Sequence, residues 1–228
     1  YAEKIYQLPN IWCPLSTSDI NQIYLKQKTT TQDIIFGCFN NIKKINNNLI
    51  SAWSKILLNL PRSKLYIKSD EFKNNKFKEY FENKFGVLKN QLILEEQSSR
   101  EKLLECYNNI DIALDTFPYS GGTTNLELSF MCVPLITMSG DTFLSRCGAS
   151  VNKNLNMKEL IAYSFDEYVE IATNLAKDQK KLNFIKLELL KNSRKSNLFN
   201  IEAFSKDFTI AMHDMWTVFL NQNNDINK

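Results

Sequence analysis

From residue 33 to about residue 140 the chain alternates short apolar runs with stretches of helical periodicity, five times over. This alternation constrains the fold more than any other feature. Nearly continuous apolar runs bounded by turn residues suit strands buried on both faces. Strand and helix in strict alternation predict an α/β fold, a Rossmann-like parallel sheet with helices on both faces. The strands are read at Asp33–Phe39, Lys64–Lys68, Leu92–Leu94, Ile110–Leu114 and Pro134–Thr137. The first helix carries Leu49, Ile50, Trp53, Ile56, Leu57 and Leu60, and Pro61 stops it. Asp70 is read as the cap of a second helix with Phe72, Phe77, Tyr80, Phe81 and Phe85, ended by Gly86. Ser98 with Glu101 fits a capping box for a third, and a fourth runs from about Thr123 to Phe130. From about residue 141 onward the chain reads as helical. Ser164 caps a segment with Tyr168, Ile171, Ala172 and Leu175 on one face, and a Lys-rich helix follows around 178–192. The last helix, about 201–219, precedes a polar tail, Asn221 to Lys228, read as frayed. The resulting division is a connecting segment over 1–32, a Rossmann-like domain over 33–195, and a C-terminal helix and tail over 196–228.

Composition excludes several classes. The 28 basic and 25 acidic side chains leave a formal net charge of +3, spread along the chain without a basic stripe, so nucleic acid is not an expected partner. One histidine, His213, cannot by itself supply a His-based metal site or a triad, and it lies on what reads as a helix face. No metal is expected. The five cysteines are far apart and lack C-x-x-C spacing, so they read as buried thiols in a reducing compartment, the cytoplasm. No stretch approaches the ~18 apolar residues of a membrane span, and no membrane partner is expected. The chain opens on Tyr1 rather than Met, which suggests a piece of a longer protein.

Two loops carry the chemistry. Leu114 to Glu127 reads as strand, glycine loop and helix N-terminus. In an open α/β sheet, ligands bind outside the carboxyl ends of the strands. Gly121 and Gly122 let backbone approach a ligand, and the free N–H groups of the following helix favour phosphate. Thr123 and Thr124 add hydroxyl donors. Glu127 lies one turn on, where a carboxylate suits a ribose diol. The same residues also suit a plain Gly-Gly turn with Thr as a helix cap. The second loop, Phe39 to Ile45, follows the first strand. Asn41 and Lys44 there are candidates for phosphate oxygens, lysine as a mobile point charge, although on the charges alone a solvated lysine-rich loop is the favoured reading.

Together these loops resemble the C-terminal catalytic half of the protein O-linked N-acetylglucosamine transferase family. The matching stretches run in order. They include Tyr1 to Ile5 with Leu8-Pro9, Phe36 to Ile42 with Lys44-Ile45, Trp53, Ile56-Leu57 and Pro61 to Ser63. Asp111 to Tyr119, Gly121 to Thr124, Val133 to Thr137, Gly140, Ser145-Arg146, Ser196 to Phe199 and Met215-Trp216 complete the set. The Phe-Pro-Tyr-x-Gly-Gly-Thr-Thr form is nearest to bacterial-type members. The resemblance implies one half of a two-Rossmann-domain (GT-B type) glycosyltransferase, the half that binds UDP-N-acetylglucosamine as donor substrate. It implies inverting, metal-independent transfer to Ser or Thr of a protein acceptor, with no cofactor. It further implies an N-terminal catalytic half and tetratricopeptide repeats elsewhere in the protein, so that this chain alone is inactive. Carried over by position, Lys44 is the catalytic candidate and, with Asn41, contacts the diphosphate. Gly121, Gly122, Thr123 and Thr124 hold it at the helix N-terminus, Glu127 meets the ribose, and the Ser98 main chain and Arg100 side chain border the uracil. One departure is Leu103, where many relatives stack a histidine on the uracil. Animal members also have a histidine at the position of Gly122. Use of another UDP-sugar, or a non-catalytic module that keeps the fold, are the alternatives the sequence leaves open.

Overall fold

The computed structural model describes residues 3–18, 20 and 33–226. Tyr1, Ala2, Asp19, all of 21–32 and residues 227–228 lie outside the described residues, as do the side chains beyond residue 222. Among the described residues six parallel strands form one sheet: β1 (Ile35–Cys38), β2 (Lys64–Lys68), β3 (Leu92–Glu95), β4 (Ile112–Leu114), β5 (Leu135–Met138) and β6 (Ile161–Ala162). Their order is β3-β2-β1-β4-β5-β6, the doubly wound Rossmann arrangement. The register pairs Ile35 with Lys64 on one side of β1 and Phe36 with Ile112 on the other. Gly37 is required at the centre of β1, because a Cβ there would lie 2.2 Å from the Ile110 side chain.

Alternate strand residues feed two apolar layers. Phe36, Leu65, Ile67, Ile112, Leu114 and Ile136 face one layer with Trp53 of α1 (Asn47–Asn59) and Tyr168 of α6 (Phe165–Lys177). Tyr66, Ala113 and Leu135 face the other with Leu104 of α3 (Arg100–Cys106) and Leu128 of α4 (Thr123–Phe130). Helices α2 (Asn75–Asn83), α5 (Cys147–Asn154), α7 (Gln179–Ser193) and α8 (Ile201–Ile226) complete the element order. Burying both faces leaves only the strand ends open to a ligand.

Several local expectations need correcting. The segment after residue 141 is not wholly helical: Ile161 and Ala162 add β6, a strand of two residues, too short to show a period. Asp70 opens a short 3-10 turn, and Asn74 is the cap of α2, its side chain accepting from the N–H groups of Lys76 and Phe77. Ser98 and Glu101 form no capping box. Ser99 is the N-cap of α3 and makes no side-chain capping bond, while the Ser98 hydroxyl is buried without a partner. Ser164 does cap α6, accepting from Glu167 N–H at 3.1 Å. α8 continues through Ile226 rather than ending near residue 219. Of the cysteines, Cys38 and Cys147 are buried, but Cys106 and Cys132 are half-buried and Cys13 is exposed; all five are free thiols. No helix among the described residues is long and apolar enough to cross a membrane.

Candidate functional site

The sheet order reverses between β1 and β4, and the loops that leave these two strands are the two singled out from the sequence. At such a switch point the loops diverge to opposite faces and open a crevice between them. Side chains tie the loops together across it. Lys44 Nζ donates to the Ser120 carbonyl at 3.0 Å, Asn46 Nδ2 to the Phe117 carbonyl at 2.7 Å, and Asn40 Nδ2 to Asp115 Oδ1 at 3.2 Å.

A cavity of about 330 Å³ lies between them, lined by Asn41, Lys44, Tyr119, Gly122, Thr123 and Thr124 among others. Asn41 spends its side-chain oxygen capping the 3-10 turn Ile42–Lys44, accepting from Lys43 N–H at 2.9 Å, so its amide nitrogen is the group to offer a ligand oxygen. The Lys44 ammonium sits 3.9 Å from the centroid of the Tyr119 ring. Burial lowers its pKa below the ordinary lysine value of 10.5, with the Asp115 carboxylate and the Cys147 and Cys38 thiols pulling the other way. Gly122 is the N-cap of α4, so the first N–H groups and the positive end of that helix open toward the cavity beside Lys44. A Cβ on Gly122 would meet only Trp12 ring carbons, at 4.0 Å. Gly121 is different, since a Cβ there would lie 2.3 Å from Asn125 Oδ1 and 2.7 Å from Asn40 Oδ1.

Not all the predicted site residues share this cavity. Gly121 is buried beneath it. Ser98 lines a separate cavity of about 530 Å³ with Lys68, Glu95, Lys102 and Cys106. Glu127 is 3% exposed, its carboxylate held by the Arg100 guanidinium and by the Tyr107 hydroxyl at 2.5 Å. Burial and that carboxylate raise the Tyr107 pKa, so the phenol stays a donor. In this arrangement Glu127 orients Arg100, whose side chain is 44% exposed at the start of α3. His213 is exposed on α8, away from the cavity.

Residues that sequence reasoning left out are Trp12, Asn40, Tyr119, Ser120, Leu144 and Cys147 in the lining, and the buried Asp115 beneath it. Trp12 packs edge-on against Phe143 with ring centroids 5.3 Å apart. Its segment, residues 3–18, has no helix or strand to give a period. Asp115 carried a legible signal: an acidic residue at the end of an apolar strand, directly before a turn.

The family model described as Glycosyl transferase family 41 matches residues 21–208. A Petunia hybrida protein described as a probable UDP-N-acetylglucosamine--peptide N-acetylglucosaminyltransferase SPINDLY is 30% identical over 225 residues, 95% of this chain and 24% of the relative. A Caenorhabditis elegans UDP-N-acetylglucosamine--peptide N-acetylglucosaminyltransferase is 26% identical over 183 residues, 80% of this chain and 16% of the relative. The chain thus spans about a quarter of the first of these. Among solved structures, an O-GlcNAc transferase of Thermobaculum terrenum aligns with TM-score 0.83 and 29% identity, over 94% of this chain and 41% of that one. TarM of S. aureus aligns with TM-score 0.60 at 12% identity, over 83% of this chain and 38% of that one, a likeness of fold alone.

Proposed function

The chain belongs to glycosyl transferase family 41, and on that premise we propose that it is the donor-binding half of an enzyme that transfers N-acetylglucosamine from UDP-N-acetylglucosamine to Ser or Thr of a protein. The observation that carries this reading is the meeting of Lys44 with the N-terminus of α4 across the switch-point cavity. Transfer breaks the bond between the sugar's anomeric carbon and the β-phosphate oxygen and forms one to the acceptor hydroxyl oxygen, which attacks from the opposite face, inverts that centre and gives up its proton to solvent or to a base of the other half. Negative charge then builds on the departing diphosphate. The Lys44 ammonium, the first N–H groups of α4 and the Thr123 and Thr124 hydroxyls are placed to take it up. These groups do the work a metal ion does elsewhere, so the reading calls for none. The nucleoside lies toward Ser98 and Arg100, with Glu127 behind the guanidinium.

The remaining machinery lies in an N-terminal catalytic half, preceded by tetratricopeptide repeats. α8 exposes Met212, Met215, Trp216 and Phe219, with the last two rings stacked at 5.5 Å, and this apolar face packs on that other half. The five free thiols fit work in the cytoplasm. The test is UDP binding and transfer by the full-length protein, with Lys44→Ala and Thr124→Ala alongside. Binding by the wild type that both variants weaken, Lys44→Ala by at least about tenfold, supports the reading. No binding by the wild type sinks it.

Two further outcomes are expected. Lys44 holds its charge below its folded-state pKa and loses it as pH rises through that value. Because burial sets that value under 10.5, UDP affinity falls on the alkaline side before pH 10.5. Calorimetry across pH should show this limb in the wild type and not in Lys44→Ala. The second concerns Leu103, half-buried on α3 and three residues beyond Arg100, hence beside it on the helix surface. An imidazole there offers ring stacking worth about 0.5–1.5 kcal/mol. Leu103→His should tighten UDP binding about 2- to 10-fold by that energy; an unchanged dissociation constant would show that this side chain does not reach the base.

A further inference from the structure

Asp115 directly follows β4 and, at 1% exposure, is the least exposed acidic side chain among the described residues. Its Oδ1 accepts from Asn40 Nδ2 at 3.2 Å and from the main-chain N–H groups of Thr116 and Gly121, each at 2.8 Å. Its Oδ2 accepts from Ser120 Oγ at 2.6 Å, Asn125 Nδ2 at 2.9 Å and Thr137 Oγ1 at 2.7 Å. These donors come from the loop after β1, the glycine loop, the first turn of α4, and β5. Ser120 extends the network twice. Its Oγ accepts from Gly148 N–H of α5 at 2.9 Å, and its carbonyl holds Lys44 Nζ at 3.0 Å. Gly148 comes so close that a Cβ on it would lie 2.3 Å from both Asp115 Oδ2 and Thr137 Oγ1.

A buried carboxylate is costly unless donors satisfy it, and burial accordingly raises the Asp115 pKa while the hydrogen bonds oppose the rise. A carboxylate is also the one side chain of this size with two oxygens that both only accept. It can therefore gather donors from both sides of a switch point onto one centre. An asparagine in its place offers one accepting oxygen and turns a donor toward one of the two donor sets.

We propose that Asp115 is a positioning residue of the donor site, acting through Gly121, Ser120 and Asn40 to hold the glycine loop and the Lys44 loop at the spacing a diphosphate requires. It touches no substrate. Its effect reaches Lys44 by way of Ser120, whose hydroxyl it binds and whose carbonyl anchors the ammonium. The assignment rests on the donor-binding reading above.

The test uses the full-length enzyme with Asp115→Asn, Ser120→Ala and, as a control, Gln91→Ala. Gln91 Nε2 donates to the carbonyls of Leu57, Leu60 and Ser63 at the opposite end of the sheet, so its loss affects stability alone. Small misplacements of catalytic groups cost up to about 10²-fold. Asp115→Asn should raise the donor KM and lower kcat, each about tenfold, with the acceptor KM unchanged. Ser120→Ala should act in the same direction by about 3- to 10-fold. Gln91→Ala should lower Tm while leaving donor KM and kcat at wild-type values. In the Lys44→Ala background the Ser120→Ala effect on the UDP dissociation constant should shrink below about twofold, the non-additivity of a shared route. If Asp115→Asn fails to fold, Ser120→Ala carries the test. Ser120→Ala behaving as Gln91→Ala does, with lower Tm and unchanged donor kinetics, overturns the assignment and leaves the donor site standing. A wild type that binds no UDP overturns both.

Discussion

Replacing Lys44 with alanine in the full-length protein is expected to reduce transfer by about 10²–10³-fold, the loss typical of removing one fixed group that stabilises developing negative charge. The geometry sets the reason. Lys44 is half-buried, held by the Ser120 carbonyl at 3.0 Å and covered by the Tyr119 ring, so its charge is anchored at the cavity wall before a ligand arrives. A charge fixed in place needs little reorganisation when the diphosphate departs. Arginine is a poor replacement. Its planar guanidinium lacks the compact head that fits between a carbonyl and an aromatic ring, so Lys44→Arg should recover only part of the loss. Single-turnover transfer rates measure both variants, and a Lys44→Ala enzyme within threefold of wild type would remove lysine from the chemical step.

The second large effect is on stability. Gly121→Ala should lower Tm by about 2–12 °C and abolish UDP binding. The new Cβ would press 2.3 Å from Asn125 Oδ1 and 2.7 Å from Asn40 Oδ1, both on buried residues. Overpacking of this kind costs about 1–3 kcal/mol, and each kcal/mol shifts Tm by about 2–4 °C in a domain of this size. The loop must move to relieve the contact. That movement breaks the Gly121 N–H bond to Asp115 and disturbs the phosphate end of α4. Gly122→Ala is the paired control for stability. Its Cβ meets only Trp12 carbons at 4.0 Å, so its Tm change should be less than half as large. Equal losses in the two variants would show that backbone freedom rather than crowding fixes these glycines.

The parts of the molecule legible in sequence are those governed by local pattern. β1 to β5 and the helices between them follow apolar runs and 3.6-residue spacing, and both cavity loops could be placed because they follow strands β1 and β4. What local pattern cannot carry is partner choice. Asn74 rather than Asp70 caps α2, because both are capping residue types and only the path of the chain selects one. Glu127 sits one turn into α4 as its spacing requires, yet its carboxylate is taken by Arg100 and Tyr107, which are 27 and 20 residues away. Trp12 reaches the cavity from a segment without periodicity. Asp115 gathers donors spanning Asn40 to Thr137, a convergence that exists only once β1, β4 and β5 lie side by side.

The most direct measurement compares UDP with uridine as ligands of the full-length protein and of its Lys44→Ala variant, by calorimetry at neutral pH. If the diphosphate lies between Lys44 and the start of α4, the variant should bind UDP at least about tenfold more weakly, the loss of a charge-assisted contact, while its affinity for uridine stays unchanged. Equal UDP affinity in the two proteins, or an equal loss for both ligands, would contradict a diphosphate at this cavity.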